Sequence, residues 1–145
     1  MYWRYFMWNF SGRQDDIQGK MDLHGNWITG INFIDSYLLG ITQENLPTDV
    51  LNNKARNDYY LLPFLVGLIG FLFVFKKDKK VFWTMLVFFL FTGIAIQVYT
   101  NVRPFEPRER DYSLVGSFYV FSLWIGIGVY AIYNWLNSYF NSKFI

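Results

Sequence analysis

Three stretches of the chain carry no charged residue, and they set its layout. The first, YYLLPFLVGLIGFLFVF at 59–75, reaches about 26 Å as a helix at ~1.5 Å per residue, close to the ~30 Å hydrocarbon core of a bilayer. The second is VFWTMLVFFLFTGIAIQVY at 81–99, and the third is LVGSFYVFSLWIGIGVYAIY at 114–133. Soluble helices of this length keep a polar face, and these keep none. The pattern predicts three transmembrane helices, at 59–75, 81–99 and 114–133. Pro63 falls in the opening turn of the first, where a missing N–H costs little.

Residues 1–58 follow another pattern. MYWRYFMWNF sets Trp3, Phe6, Met7 and Phe10 at helical spacing. It is too short to span and predicts an interfacial or protein-buried helix. SGRQDDIQGKMDLHGN is polar and predicts a loop, while WITGINFIDSYLLG predicts a short helix ending at Gly40. The stretch from Thr48 to Tyr60 predicts a helix leading into the first span. The expected fold is all-α and integral to a membrane, with three spans behind an N-terminal outer or interfacial segment at 1–58.

The run KKDKK at 76–80 is short enough to force the first two spans antiparallel. Basic residues near the span ends are balanced between the two sides, so the positive-inside rule does not decide the orientation. The lysines of this hairpin are denser and opposed only by Asp78, which points the hairpin towards the cytoplasm.

Composition sharpens this picture. A length of 145 residues fits one domain. The chain is 53% hydrophobic and 23% aromatic, with six Trp, eleven Tyr and sixteen Phe. A small soluble domain cannot bury so many rings without leaving apolar patches exposed, whereas such rings settle at membrane interfaces. The net charge of +2 is scattered, which argues against nucleic acid as a partner. With no cysteine, disulfides and thiolate metal sites are excluded. His24, the single histidine, has no second imidazole beside it, so no metal site and no cofactor are expected. The N-terminus is aromatic from its second residue and lacks the basic start of a secretory signal.

The most charged segment, RPFEPRERDY at 103–112, abuts the third span. Pro104 and Pro107 stiffen it, and Pro107 suits the first position of a helix. From such a start, Arg108 shares a face with Asp111 and Tyr112. The helix N-terminus and the guanidinium groups of Arg108 and Arg110 would then address one interface, where guanidinium binds phosphate oxygens in pairs. The alternative is self-neutralisation, Arg110 with Glu106 and Arg108 with Asp111, worth about 0–1 kcal/mol per exposed pair.

Two further clusters stand out. In GRQDD, the adjacent Asp15 and Asp16 suit a metal ligand or general base, or else form a solvated acidic loop. In NNKARNDYY, Lys54 and Arg56 either snorkel at the mouth of the first span or add to an anion site. Small residues recur in the spans (Gly67, Gly70, Gly93, Ala95, Gly116, Gly126, Gly128), as close helix packing requires. There is no phosphate-cradling glycine loop, nucleophile elbow or dinucleotide fingerprint. No ionisable residue lies inside a span, which argues against a transporter.

The blocks YFMWNFSGRQDDIQG, NWITGINFID, NNKARNDYYLLPFLVGLIG and RPFEPRERDYSLVGSFYVFSLWIGIGV together resemble the membrane proteins of domain of unknown function 2723. These are glycosyltransferase family 117 of Bacteroidetes-type bacteria, similar to protein O-mannosyltransferases. The resemblance covers nearly the whole chain but only an interior or late-membrane portion of the longer family members, so that Met1 corresponds to an internal methionine. It implies a multi-pass protein of the bacterial inner membrane that uses a polyprenyl-phosphate-linked sugar on the non-cytoplasmic face. The family's catalytic acidic residue, which belongs to an outer loop beside an earlier span, is expected to lie outside this chain, and Asp15 and Asp16 do not replace it. Arg13, Arg56, Arg108 and Arg110 are the residues the resemblance implies for the lipid phosphate, with Trp8, Asp111 and Tyr112 beside the pocket. The implied partners are membrane lipid, the lipid-linked sugar and the rest of a longer enzyme. A non-catalytic membrane scaffold or assembly subunit is the alternative.

Overall fold

The computed structural model describes residues 2–15, 26–40, 42–101 and 111–143. Helix dominates these residues. They divide into two units, one running to Pro63 and including Asn101, the other comprising Phe64–Thr100 and the last helix.

The first unit opens with α1 (Tyr2–Phe10), which buries Phe6, Met7, Trp8 and Phe10. Trp3, expected on this face, is instead 55% exposed, and Trp8 takes its place. The cause lies downstream. Ser11 N–H donates to Met7 O at 2.8 Å, and the chain turns so that β1 (Gly12–Arg13) packs against the helix on the Trp8 side.

β1 is an addition to the expected all-helical fold. It pairs antiparallel with β2 (Asn57–Asp58), Gly12 opposite Asp58 and Arg13 opposite Asn57. On its other edge Arg13 bridges Trp27, and Ile28 N–H donates to Gly12 O at 3.0 Å. Gly12 is pinched between the two neighbours: a Cβ there would sit 2.8 Å from both Asn57 O and Ile28 O.

The helix predicted after Trp27 is α2 (Asn32–Leu39), ending as expected at Gly40, which is left-handed with φ 69°. The helix predicted over Thr48–Tyr60 fails. Only α3 (Thr48–Leu51) forms. Beyond it the Asn53 side chain accepts from Ala55 N–H at 2.9 Å, and Arg56 N–H donates to Asn53 O at 3.0 Å. Local side-chain bonding of this kind competes with helix, and it delivers the chain into β2.

The second unit holds the apolar helices. α4 (Leu62–Lys77) has Pro63 in its first turn. Asp78 separates it from α5 (Lys79–Leu90), which continues without a break through a π turn (Phe91–Ala95) into α6 (Ile96–Thr100). The π turn was not predicted. In it Ile96 N–H reaches back to Phe91 O, one residue further than in an α-helix. α7 (Asp111–Lys143) extends 33 residues, well past the predicted 114–133, because nothing in NWLNSYFNSK breaks helix.

Glycines decide how α4 and α7 meet. A Cβ on Gly70 would overlap the Trp124 carbonyl and lie 2.7 Å from Gly128 N, and one on Gly128 would overlap the Val66 carbonyl. Gly67 lies under the Phe121 ring, and Gly116 faces Thr92 in the π turn. Two of the small residues take no such part: Gly126 has nothing within 4 Å of a Cβ position, and Ala95 is exposed. Around the crossing, Phe71 meets Phe82 edge-on at 4.9 Å and Trp124 at 5.0 Å, with Phe89 5.3 Å from Trp124.

Two helical runs, Lys79–Thr100 and Tyr112–Asn141, are long and apolar enough to cross a membrane. α4, at 16 residues, is shorter than either.

Candidate functional site

The first unit gathers an indole and two guanidinium groups. Arg4 and Trp8 are one helical turn apart on α1, and Arg4 Cζ lies 5.2 Å from the centre of the Trp8 ring. Arg13 reaches the same ring from β1, with Cζ at 5.7 Å. The strand pairing that holds Arg13 opposite Asn57 also brings its Nε–H to Ala55 O, where it donates at 3.1 Å. Arg13 is thus fixed by backbone at one end and by an aromatic face at the other. A cation over an indole is worth roughly 0.5–1 kcal/mol when exposed and about 2 when desolvated.

Some buried polar groups of this unit are left open. Trp8 is 3% exposed, yet its Nε1–H has no hydrogen-bond partner. Arg56 Nη1 and Asn57 Oδ1 are likewise buried and unpartnered. Arg4, Arg13 and Arg56 have no carboxylate within salt-bridge distance among the described residues. Buried polar groups are almost always satisfied in native proteins, and those that are not call for a bound water, ion or ligand. Here two of the three groups are donors, Trp8 Nε1 and Arg56 Nη1, and Arg4 and Arg13 lie on the indole, while Asp15 and Asp58 supply negative charge in the same unit.

The candidates from the sequence fare unevenly. Arg13 and Trp8 come together, and Arg56 adjoins Asn57, the ladder partner of Arg13. The buried Arg56 Nη1 speaks against simple snorkelling. Asp111 opens α7, and Tyr112 on its first turn is 70% exposed. Arg108 and Arg110 lie outside the described residues, as do Asp16 and His24. Asp15 is 5% exposed, which corrects the solvated-loop reading for that carboxylate. No group of three metal-ligating side chains occurs among the described residues.

Two participants escaped the sequence reading. Arg4 is one, and its spacing of four from Trp8 is the signal the sequence offers for it. Asp35 is 2% exposed and accepts from Thr29 N–H at 2.7 Å, Thr29 Oγ1–H at 2.8 Å and Gly30 N–H at 2.9 Å. Its carboxylate ties the first turn of α2 to the preceding loop, a structural task.

No family model, curated protein or solved structure matches the chain.

Proposed function

We propose that the chain is part of a membrane glycosyltransferase that holds a polyprenyl-phosphate-linked sugar on the non-cytoplasmic face of a bacterial inner membrane. In this reading α4, the α5–α6 run and α7 are its three spans. The long helices carry apolar side chains outward (Trp83, Phe88, Phe91, Ile94 and Val98 are all exposed), and only 11% of the most apolar window of Lys79–Thr100 is buried. A core helix of a soluble protein would be covered, and lipid is the cover that matches.

The observation that supports the reading is the pair of guanidinium groups on Trp8, whose Nε1 is unpartnered, with a further buried and unpartnered guanidinium nitrogen, Arg56 Nη1, in the same unit. In the proposal Arg13 and Arg56, with Arg108 and Arg110, hold the donor phosphate, and Trp8 walls the pocket. The resemblance of the sequence supplies the sugar-transfer chemistry. The test is photocrosslinking of a polyprenyl-phosphate probe to the chain in nanodiscs. Arg13→Lys and Arg56→Lys each reduce labelling severalfold, as do Arg108→Lys and Arg110→Lys, because lysine cannot pair with two phosphate oxygens. Unchanged labelling in all four variants sinks the phosphate role.

The α4–α7 glycine crossing favours a second reading, a non-catalytic membrane scaffold. That reading expects Arg108→Ala to lower the amount of assembled protein while sugar transfer persists in proportion to what remains.

A further inference from the structure

The connection between α4 and α5 is a single non-helical residue, Asp78, flanked by two lysines on each side. Asp78 N–H donates to Val74 O at 2.9 Å and Phe82 N–H donates to Asp78 O at 3.0 Å, so both helices are hydrogen-bonded through the joint. The Asp78 carboxylate is turned onto the start of α5, where Oδ1 accepts from Lys80 N–H at 2.9 Å and Val81 N–H at 3.1 Å. The one acid in the segment is therefore engaged as a helix cap.

The lysines are not so engaged. Lys76, Lys77, Lys79 and Lys80 are all exposed, and none pairs with a carboxylate among the described residues. Lys77 Nζ lies 5.3 Å over the Phe73 ring, back along α4. Within two turns of this cap, Leu72, Phe75 and Trp83 are exposed apolar side chains. Four ammonium groups thus stand at the end of an uncovered apolar surface. A lipid leaflet has the complementary profile, acyl chain below and phosphate above.

We propose that the Lys76–Lys80 hairpin is a binding site for phospholipids with a net negative headgroup. The proposal rests on the membrane reading above, but not on sugar transfer. Juxtamembrane lysines are each worth about 1 kcal/mol towards an anionic lipid surface, or about fivefold in affinity. The rigid joint keeps the four charges together.

The full chain in a mild detergent is titrated with short-chain phosphatidylglycerol and, separately, with short-chain phosphatidylcholine. The expected result is tighter binding of phosphatidylglycerol, weakened about fivefold by each Lys→Gln change in the hairpin and erased by high salt. Asp78→Asn is the complementary variant. Asparagine retains the capping oxygen while removing the one opposing charge, so phosphatidylglycerol binding tightens. Equal affinity for the two lipids, or indifference to replacement of all four lysines, overturns the proposal. Flotation with purely phosphatidylcholine liposomes tests the underlying membrane reading separately, since a chain that fails to float there is not an integral membrane protein at all.

Discussion

Replacing Gly70 by alanine adds one carbon at the tightest point of the α4–α7 crossing. That carbon would overlap the Trp124 carbonyl oxygen and lie 2.7 Å from Gly128 N, both backbone atoms that no rotamer change can move. The helices have to part by several tenths of an ångström, which loosens the edge-on contact of Phe71 with Trp124 at 5.0 Å. Overpacking of this sort costs about 1–3 kcal/mol. Alanine also returns roughly 1 kcal/mol of helix propensity relative to glycine. Gly126→Ala separates the two effects, because a Cβ there meets nothing within 4 Å and gains the propensity alone. The stability difference between the two variants is therefore the collision itself, about 1–3 kcal/mol. Thermal unfolding in detergent, followed by intrinsic tryptophan fluorescence, gives Gly126→Ala at or above the parent and Gly70→Ala clearly below it. If the two variants melt together, the crossing is not held by backbone contact and the packing argument fails.

Other perturbations address the first unit. Asp35→Asn keeps one acceptor oxygen for Thr29 but sets an amide NH2 against Gly30 N–H, which the second carboxylate oxygen now accepts from; a loss of about 1.5–3 kcal/mol follows, visible as faster limited proteolysis between Thr29 and Gly40. Gly12→Ala forces a methyl between Asn57 O and Ile28 O, and hydrogen exchange at Tyr59 and Ile28, whose N–H groups bond to Ser11 O and Gly12 O, accelerates by at least tenfold. Trp8→Phe removes the unpartnered indole N–H while retaining a ring for Arg4 and Arg13. The smaller ring leaves a cavity that costs about 1–3 kcal/mol, and labelling by the polyprenyl-phosphate probe falls further than it does for Phe6→Leu, a packing change of similar cost that keeps the indole N–H.

The apolar helices were legible because their signal is composition over a long window. Leu62–Lys77 and Lys79–Thr100 lie within about three residues of the predicted bounds, and α2 stops at the glycine its sequence marks. What could not be read depends on contacts distant along the chain. β1 and β2 are two residues each, too short for any periodicity, and exist because Gly12 and Asp58, 46 positions apart, happen to meet. The same meeting turns α1 so that Trp8 rather than Trp3 is covered. Of the candidate site, Arg13, Trp8 and Arg56 were identifiable by residue type, but their grouping is a product of that sheet. Arg4 carries no signal in the apolar pattern itself, since its partner is the aromatic ring one turn away at Trp8.

The π turn at Phe91–Ala95 gives the chain an uneven tolerance to changes of length. One residue is held there as a local bulge, marked by the Ile96 N–H to Phe91 O bond, while the helix on either side keeps its facing. Removing one residue from this turn should close it to ordinary α-helix and leave Phe82 and Phe89 upstream, and Ile96 to Thr100 downstream, still turned as they are. The same deletion inside α4 would rotate everything after it by about 100° and carry Gly70 away from Trp124. The turn is where a relative one residue shorter could keep the same packing.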